Sequence, residues 1–377
     1  MSRALHADPE LSLEEVRAAA RLTAFLRREG FRIQRGLCGL PTSFVARKAG
    51  GRHGPRLALL AEYDALPGIG HACGHNLIGA AAAGAGAALG RVIADLGGEV
   101  LVIGTPAEET IGGKAVMVDR GAFRGVDAVM MFHPSTEDRV YTTSLACHSL
   151  EVTYHGRAAH AVAAPEKGIN ALAALIHLFV SLEKLKRRLP REVRLPGVIV
   201  EGGRRANIVP ERAVGRFTLR ARDLNALRRV ETTFRRAALA SGREIGARVR
   251  IRSLDHPYAE MVTNHAMAEV FKRELRRLGR RTVDTPRERM GSLDMGNVSH
   301  RVPAIHPYVA IAPARAPLHS AAFAHLAGGG RGRAGLLVAT RALALTGFQV
   351  LADPDLLGRV RREFRSFRRL RSARRKR

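Results

Sequence analysis

The stretch HACGHNLIGAAAAG, from His71 to Gly84, constrains this chain more than any other. It sets Cys73 and His75 two residues apart in a glycine-punctuated turn, directly ahead of an Ala-rich run that reads as a helix. Upstream, LALLAEYDALPG is an apolar run that predicts a buried strand, breaking at Pro67 and Gly68. A thiolate and an imidazole at a strand-to-helix junction can face one metal site, and both are good zinc ligands. A buried cysteine is usually a small core hydrophobe. The metal reading therefore leans on a second cluster, GTPAEETIGG, where Glu108 and Glu109 follow another strand-like run, EVLVIGTP.

The 377 residues are more than one ordinary core holds, which predicts two domains. Three cysteines, Cys38, Cys73 and Cys147, make no even framework, and MSRALHADPELSLEE lacks the apolar segment of a signal peptide. A reducing, cytoplasmic compartment is expected. No stretch reads as a membrane span, the Ala-rich run being broken by glycines and too short. The net charge of +28 is partly concentrated in the terminal VRREFRSFRRLRSARRKR. Such a chain could adhere to nucleic acid or anionic membrane. The basic residues interrupt none of the motifs and carry no nucleic-acid-binding signature, so they read as solvated faces.

Residues 10 to 30 predict an amphipathic helix with Ser12 as cap, Glu15 as its capping-box partner, and Val16, Ala20, Leu22 and Leu26 as the buried stripe. FRIQRG, TSFVARKA, RLALLAEYDA, EVLVIGT and AVMMFHP predict strands, interleaved with the Ala-rich helix and GGKAVMVDRGAF. That alternation argues an α/β domain around a largely parallel sheet, with polar motif residues at strand ends. From about residue 146 to 256 the order becomes β-α-β-β-α-β, the split ferredoxin-like unit, read as an insertion. The expected domains are 1–145 and 257–352 for the first unit, 146–256 for the insert, and 353–377 as a basic extension. The first unit resumes with NHAMAEVFKRELRRLG, GSLDMGNVSHRVP, AIHPYVAIA, His319 and a helix over AGLLVATRALALTGF.

HACGHN, GTPAEE with GGK, AVMMFHP, YHGRAAHAVAAPEKGINAL, GGRRANIVPE, GSLDMGNVS and PLHSAAF occur in an order that resembles the zinc-dependent amidohydrolase and peptidase family of carboxypeptidase G, aminoacylase and the indoleacetyl-amino acid hydrolases. The wording EYDALPGIGHACGHN is most similar to the aminobenzoyl-glutamate hydrolase branch and its dipeptidase relatives. The resemblance runs from about His6 to about Phe364. It implies a mixed α/β catalytic domain holding two divalent metals, zinc with cobalt or manganese as options, and an inserted α+β lid used for homodimerisation. It implies Cys73, His75, Glu109, His133 and His319 as metal ligands, Glu108 as general base, and His160 as a donor to the scissile carbonyl from across a dimer. Asn207 and Arg220 match substrate positions, and an arginine fork suits a terminal carboxylate.

The residues themselves leave some roles open. A metal pair wants one bridging anion, and both Cys73 and Asp64 are near enough in sequence to supply it. His306 and His325 compete with His319, His160 could cap the lid helix, and His71 reads as structural or as standing behind the ligands. Where the branch commonly has Asp after CGH, this chain has Asn76, which removes a possible carboxylate behind the ligands. Relatives usually have a helix ahead of LHADPELS, so either the start is misassigned or the fold is trimmed, and a missing helix would uncover apolar surface on the first domain. The expected function is hydrolysis of the amide of N-acyl amino acids or small dipeptides. The competing expectation is a metal-binding, catalytically silent protein whose basic surface takes nucleic acid or acidic partners.

Overall fold

The computed structural model describes residues 1–283 and 291–376. Residues 284–290, within the expected second part of the catalytic domain, and Arg377 of the basic extension lie outside the described residues. The chain divides into two compact units, Met1–Thr143 with Met261–Arg377, and Ser144–Glu260.

The first segment supplies β1 (Arg32–Arg35), β2 (Phe44–Ala49), β3 (Arg56–Ala61), β4 (Glu99–Gly104), β5 (Ala128–Met130) and β6 (His133–Ser135). Its helices are α1 (Ser2–Ala7), α2 (Val16–Arg28), α3 (His75–Leu96) and α4 (Gly113–Asp119). The inserted unit holds β7 (Ala146–His155), α5 (Ala171–Lys186), β8 (Gly197–Glu201), β9 (Arg212–Ala221), α6 (Leu224–Ile245) and β10 (Arg248–Ser253). After it come α7 (His265–Arg277), α8 (Met295–Ser299), β11 (Ala304–Ile305), β12 (Tyr308–Ala310), α9 (Ala321–Gly328), α10 (Gly330–Ala352) and α11 (Pro354–Lys376).

The first unit is a mixed α/β fold around a six-stranded sheet of order β1-β2-β4-β3-β5-β11. β4, β3, β5 and β11 run parallel, and β2 runs antiparallel to both its neighbours. β3 has no polar alternation because Leu57, Ala58, Leu59, Leu60 and Ala61 are all 0% exposed, covered on both faces. β6 and β12 continue the β5–β11 direction as a separate parallel pair, with His133 opposite Tyr308.

The Ala-rich helix is longer than the sequence suggested. α3 spans 22 residues, and it and α10 have the length and apolarity of membrane spans. In this unit α3 packs on β3 and on α10, and its apolar window is 72% buried. Small residues make that packing close. A Cβ added at Gly86 would stand 2.3 Å from Val102 Cγ2 on β4. Gly86→Ala is therefore expected to destabilise. The helix would gain up to about 1 kcal/mol in propensity, but overpacking costs about 1–3 kcal/mol. A Tm equal to or above that of the natural protein would refute this.

The start of α2 also differs from expectation. Glu10, not Ser12, caps it, accepting from the N–H groups of Arg17 (3.1 Å) and Ala18 (2.8 Å). Ser12 donates its hydroxyl to Asp64 (3.0 Å) instead. The buried stripe is Ala18, Ala19, Leu22 and Leu26, while Val16 is 61% exposed. An open, mostly apolar groove of about 630 Å³ is lined by Met1, Ala24, Phe25, Leu336 and Leu337, among others.

The Arg-rich segment forms α11, which packs on α7 and α10. Leu356, Leu357 and Val360 are buried, and Glu363 caps α7 through the N–H groups of His265 (2.7 Å) and Ala266 (3.0 Å). Arg361 pairs with Asp127 at 2.6 Å.

The inserted unit is an antiparallel sheet of order β10-β7-β9-β8, with α5 and α6 packed together against β7 and β9. Numbered within the unit this is strand order 4-1-3-2, the ferredoxin-like arrangement. Its core joins Leu150, Val152 and Tyr154 to Leu175, Leu178 and Phe234. β8 is an edge strand whose Val198, Ile199 and Val200 are 58%, 44% and 50% exposed.

Candidate metal centre

The first unit brings together residues from the segment after β3, the segment after β4, the start of β6 and the loop before α9. Gly74 is the N-cap residue of α3 with φ +79°, and a Cβ there would lie 2.5 Å from Pro134 Cγ. Only glycine fits both requirements, and the turn sets Cys73 and His75 on either side of it. Ahead of Glu108, Ala107 takes φ 59°, unusual for a residue with a side chain. The buried Glu15 holds that turn, accepting the Ala107 N–H (2.9 Å) and the Thr42 hydroxyl (2.7 Å). Glu15, expected at a helix cap, thus fixes the loop that carries the Glu108–Glu109 pair. His319 also has a positive φ, 63°, and its N–H donates to Ala72 O at 2.9 Å.

Cys73 Sγ stands 3.4 Å from His133 Nε2 and 3.4 Å from His319 Nε2. Glu109 Oε1 lies 3.6 Å from His319 Nε2 and 3.9 Å from His75 Nε2. Two triads of ligand atoms close enough to share a cation result, Cys73–His75–His133 and Cys73–Glu109–His319, and a third grouping joins His75, Glu108 and Glu109. Cys73 is common to the first two. Asp64, the other candidate for a bridging anion, instead sits behind a ligand, with Oδ1 2.9 Å from His75 Nδ1. His75 donates Nδ1–H to that carboxylate, and His133 donates Nδ1–H to Pro134 O at 2.7 Å. Both Nε2 atoms thereby face inward, as in metal-binding histidines; burial works against the His75 charge, yet Cys73, Asp64 and Glu62 hold it well above the usual imidazole range, so a cation there must displace its Nε2 proton.

The electrostatics fit a cation site. Burial pushes His133 down to about 3, leaving it a neutral imidazole. Burial works against the Asp64 charge, yet His75 and the Glu109 N–H hold its carboxyl down to about 2. The Cys73 thiol is pushed up by burial, so cation binding there must expel a proton. Burial, reinforced by Asp294, Glu62 and Glu109, raises the Glu108 carboxyl well above the usual carboxylate range, with Lys114 opposing. Glu62 Oε2, His75 Nε2 and Glu109 Oε1 are buried atoms without a hydrogen-bond partner among the described residues. Buried polar atoms are rarely left so, and bound cations would satisfy all three.

Sequence reasoning gave no role to Glu62, Lys114 and Asp294. Lys114 is 0% exposed, paired with Glu62 and with Asp294 Oδ1, the latter at 2.9 Å. GGK and GSLDMGNVS marked the segments, but a lysine at the head of a helix ordinarily reads as a solvated charge.

His306 is buried with its ring 5.6 Å from that of His133, and burial pushes it down to about 4. His325 is exposed on α9. Of the three candidate histidines, His319 joins the triads. His71, in the same turn, stands with Nε2 3.1 Å from Leu5 O. Asn76 donates its amide to Ala327 O (3.3 Å) and Ser2 O (3.4 Å). A carboxylate has no proton for either bond, which accounts for the amide.

In the inserted unit His160 and Asn207 are exposed neighbours, the Ala161 N–H donating to Asn207 O at 3.0 Å. His160 Nδ1 accepts from the N–H groups of Val162 (3.2 Å) and Ala163 (3.1 Å), which puts the ring proton of the neutral imidazole on Nε2. It does not cap the lid helix: Asn170 caps α5 through the Ala173 N–H. Arg220 is half-buried on β9, opposite Cys147 and bridged by backbone to Arg194.

Residues 58–324 match the family described as Peptidase family M20/M25/M40. The chain is 38% identical to Xaa-Arg dipeptidase of Mus musculus, over 97% of this chain and 88% of that protein. It is 32% identical to one component of the p-aminobenzoyl-glutamate hydrolase of Escherichia coli, over 59% of this chain and 50% of that one. In fold it resembles a Bacillus subtilis dinuclear metal binding peptidase from the M20 family, with TM-score 0.68 and 24% identity, covering 93% of this chain and 96% of that one. The motifs that frame the metal centre fall within the matched residues, and the chain belongs to peptidase family M20/M25/M40.

Proposed function

We propose that the protein is a metal-dependent amidohydrolase that cleaves the amide bond of small dipeptides or N-acyl amino acids. Cys73, His75, Glu109, His133 and His319 hold a pair of divalent cations, zinc first, with cobalt or manganese as substitutes. The observation that carries this reading is one thiol common to two ligand triads, with Glu108 beside them. Such a cation pair polarises a carbonyl and lowers the pKa of a water. Glu108 accepts the proton of the attacking water and passes it to the leaving nitrogen, which calls for a carboxylate with raised basicity. His160 offers Nε2–H to the carbonyl oxygen as negative charge grows there. Asn207 and Arg220 bind the substrate, Arg220 through the two-pronged fit of guanidinium to carboxylate. The Mus musculus relative named Xaa-Arg dipeptidase puts dipeptides ahead of acyl-glutamates. A silent metal-binding protein is disfavoured by Glu108 and by relatives that are named as hydrolases. Metal analysis with a panel of Xaa-Arg dipeptides, aminobenzoyl-glutamate and N-acetylcysteine tests the reading. A metal-free protein with full activity, or a metal-loaded one inactive on every member, would overturn it.

The same proposal makes the protein a homodimer through residues of about 146 to 256, with His160 delivered to the neighbouring chain's metal centre. Its support is the bare apolar edge of β8, an open invitation to strand pairing. Mixing inactive His160→Ala chains with inactive Glu108→Gln chains should then restore partial activity. One site of a mixed dimer receives both groups, and the other receives neither. Mixtures as inactive as the separate variants, after verified subunit exchange, would favour a monomer using its own His160.

A further inference from the structure

Many arginines of this chain meet carboxylates. Arg17 and Arg21 share Asp8, Arg216 and Arg252 share Glu151, and Arg280 grips Asp138. One concavity of the first unit departs from that pattern. A cavity of about 310 Å³ is lined by Arg47, Arg56, Arg120 and Arg124, with Gln34 and Cys38 beside them, and no described aspartate or glutamate lines it.

The fold brings these groups together from three directions. Gln34 stands opposite Val45, Val45 opposite Ile103 and Arg47 opposite Leu101, so their side chains share one face of β1, β2 and β4. Val45, Leu101 and Ile103 are buried and form an apolar floor, beside which charges interact more strongly than in open water. A tight turn makes the second wall, with Gly36, Cys38 and Gly39 at φ of 69°, 57° and 67°. Its Cys38 carbonyl accepts from Arg120 Nη1. The third wall is the loop after α4, which Gly121 and Gly125 bend at φ of 82° and 73° around Arg124. Arg56 is already satisfied, donating Nε–H to Glu99 at 2.7 Å. Arg47, Arg120 and Arg124 pair with no carboxylate among the described residues.

Like charges gathered at one hollow repel unless an anion joins them. Guanidinium forks suit carboxylate and phosphate alike. Three forks offer more N–H groups than the two oxygens of a single carboxylate can take. A phosphate monoester presents three acceptor oxygens and about −1.5 to −2 charge. The volume is at the small end of ligand pockets, which run from about 300 to 1,000 Å³, so it suits a small compound.

We propose that this cavity binds a small phosphorylated compound, a phosphate monoester or diphosphate, through Arg47, Arg120 and Arg124, with Gln34 as a further donor. The site shares no residue with the metal centre and stands whether or not the hydrolase reading does. Arg56, held by Glu99, shapes the wall.

Cys38 provides a local readout. It is half-buried in the wall of the cavity, while Cys73 and Cys147 are buried. Alkylation of the full-length protein by iodoacetamide, located on the Cys38 peptide by mass spectrometry, therefore reports occupancy of this cavity and not anion uptake at the metal centre. Inorganic pyrophosphate is the probe, with citrate at equal concentration as the polycarboxylate control. Pyrophosphate should slow Cys38 alkylation saturably, and citrate should not. Arg47→Gln and Arg124→Gln should each raise the half-protecting concentration by about 10-fold or more, the scale of a lost hydrogen bond to a charged group. Arg47→Lys, which keeps the charge and loses the fork, should fall between. Removing two exposed arginines of α11 together, Arg359→Gln with Arg365→Gln, should leave protection unchanged. If Arg124→Gln lowers Tm, Arg47→Gln on the strand carries the test. Pyrophosphate that gives no protection would overturn the site. So would citrate protecting equally well, or the α11 variant losing as much as the cavity variants, since either result leaves only an unselective positive surface.

Discussion

Glu108→Gln should keep the fold and both cations while losing about 10²–10⁴-fold in kcat. The substitution removes the proton acceptor and little else. Glu108 shares its surroundings with Glu62, Glu109 and Asp294, and burial with those neighbours holds its carboxyl well above the ordinary range. A group whose folded value is raised contributes stability when protonated and loses it as the pH climbs past its unfolded value. The neutral amide mimics the protonated form, so Tm at neutral pH should hold or rise. Elemental analysis, thermal melting and turnover on the same preparation separate the effects. Turnover near that of the natural protein, with metal retained, would remove Glu108 from the chemistry.

The second large effect belongs to Cys73. Ligand loss on one side, as in His133→Ala, should weaken one cation. Cys73→Ser should weaken both, because its sulfur is the atom the two triads have in common. A neutral hydroxyl replaces a thiolate, and the loss should exceed the roughly 10–100-fold typical of disturbing a residue behind a ligand. Activity should fall with metal content, and excess cation should restore only part of it. The decisive comparison is stoichiometry after equal dialysis of the two variants. A Cys73→Ser protein that holds two cations as firmly as the natural one would exclude a shared sulfur.

The motif-bearing parts of this site were legible because each contains residues with few other uses. Cys-Gly-His ahead of a small-residue helix, two adjacent glutamates behind a strand, and a histidine closing an apolar run each point to a strand end. The β-α-β-β-α-β order of the insert was legible from periodicity alone. What escaped was long-range polar pairing. SLEEV looks like a capping box by spacing, yet the cap comes from Glu10, and Glu15 turns inward to Ala107. Lys114 and Asp294 are 180 residues apart, and nothing local distinguishes a buried lysine from a solvated one. Asn76 read as a missing charge, when its value lies in two donated protons that hold α1 and α9 onto α3.

The interrupted first unit also bears on the order in which the chain can fold. Strand β11 pairs with β5 across an insert that carries its own core, so this sheet is built from contacts distant in sequence. Contacts of that kind form slowly, and domains generally close as units during synthesis. At the ribosome residues 144–260 can complete their sheet while the first segment still lacks α7, α10 and β11. Asp294 and His319 belong to the same late segment, after α7 and ahead of α10. The metal centre is therefore among the last features to be assembled, and the apolar strands beside it wait for their partners until the C-terminal segment arrives.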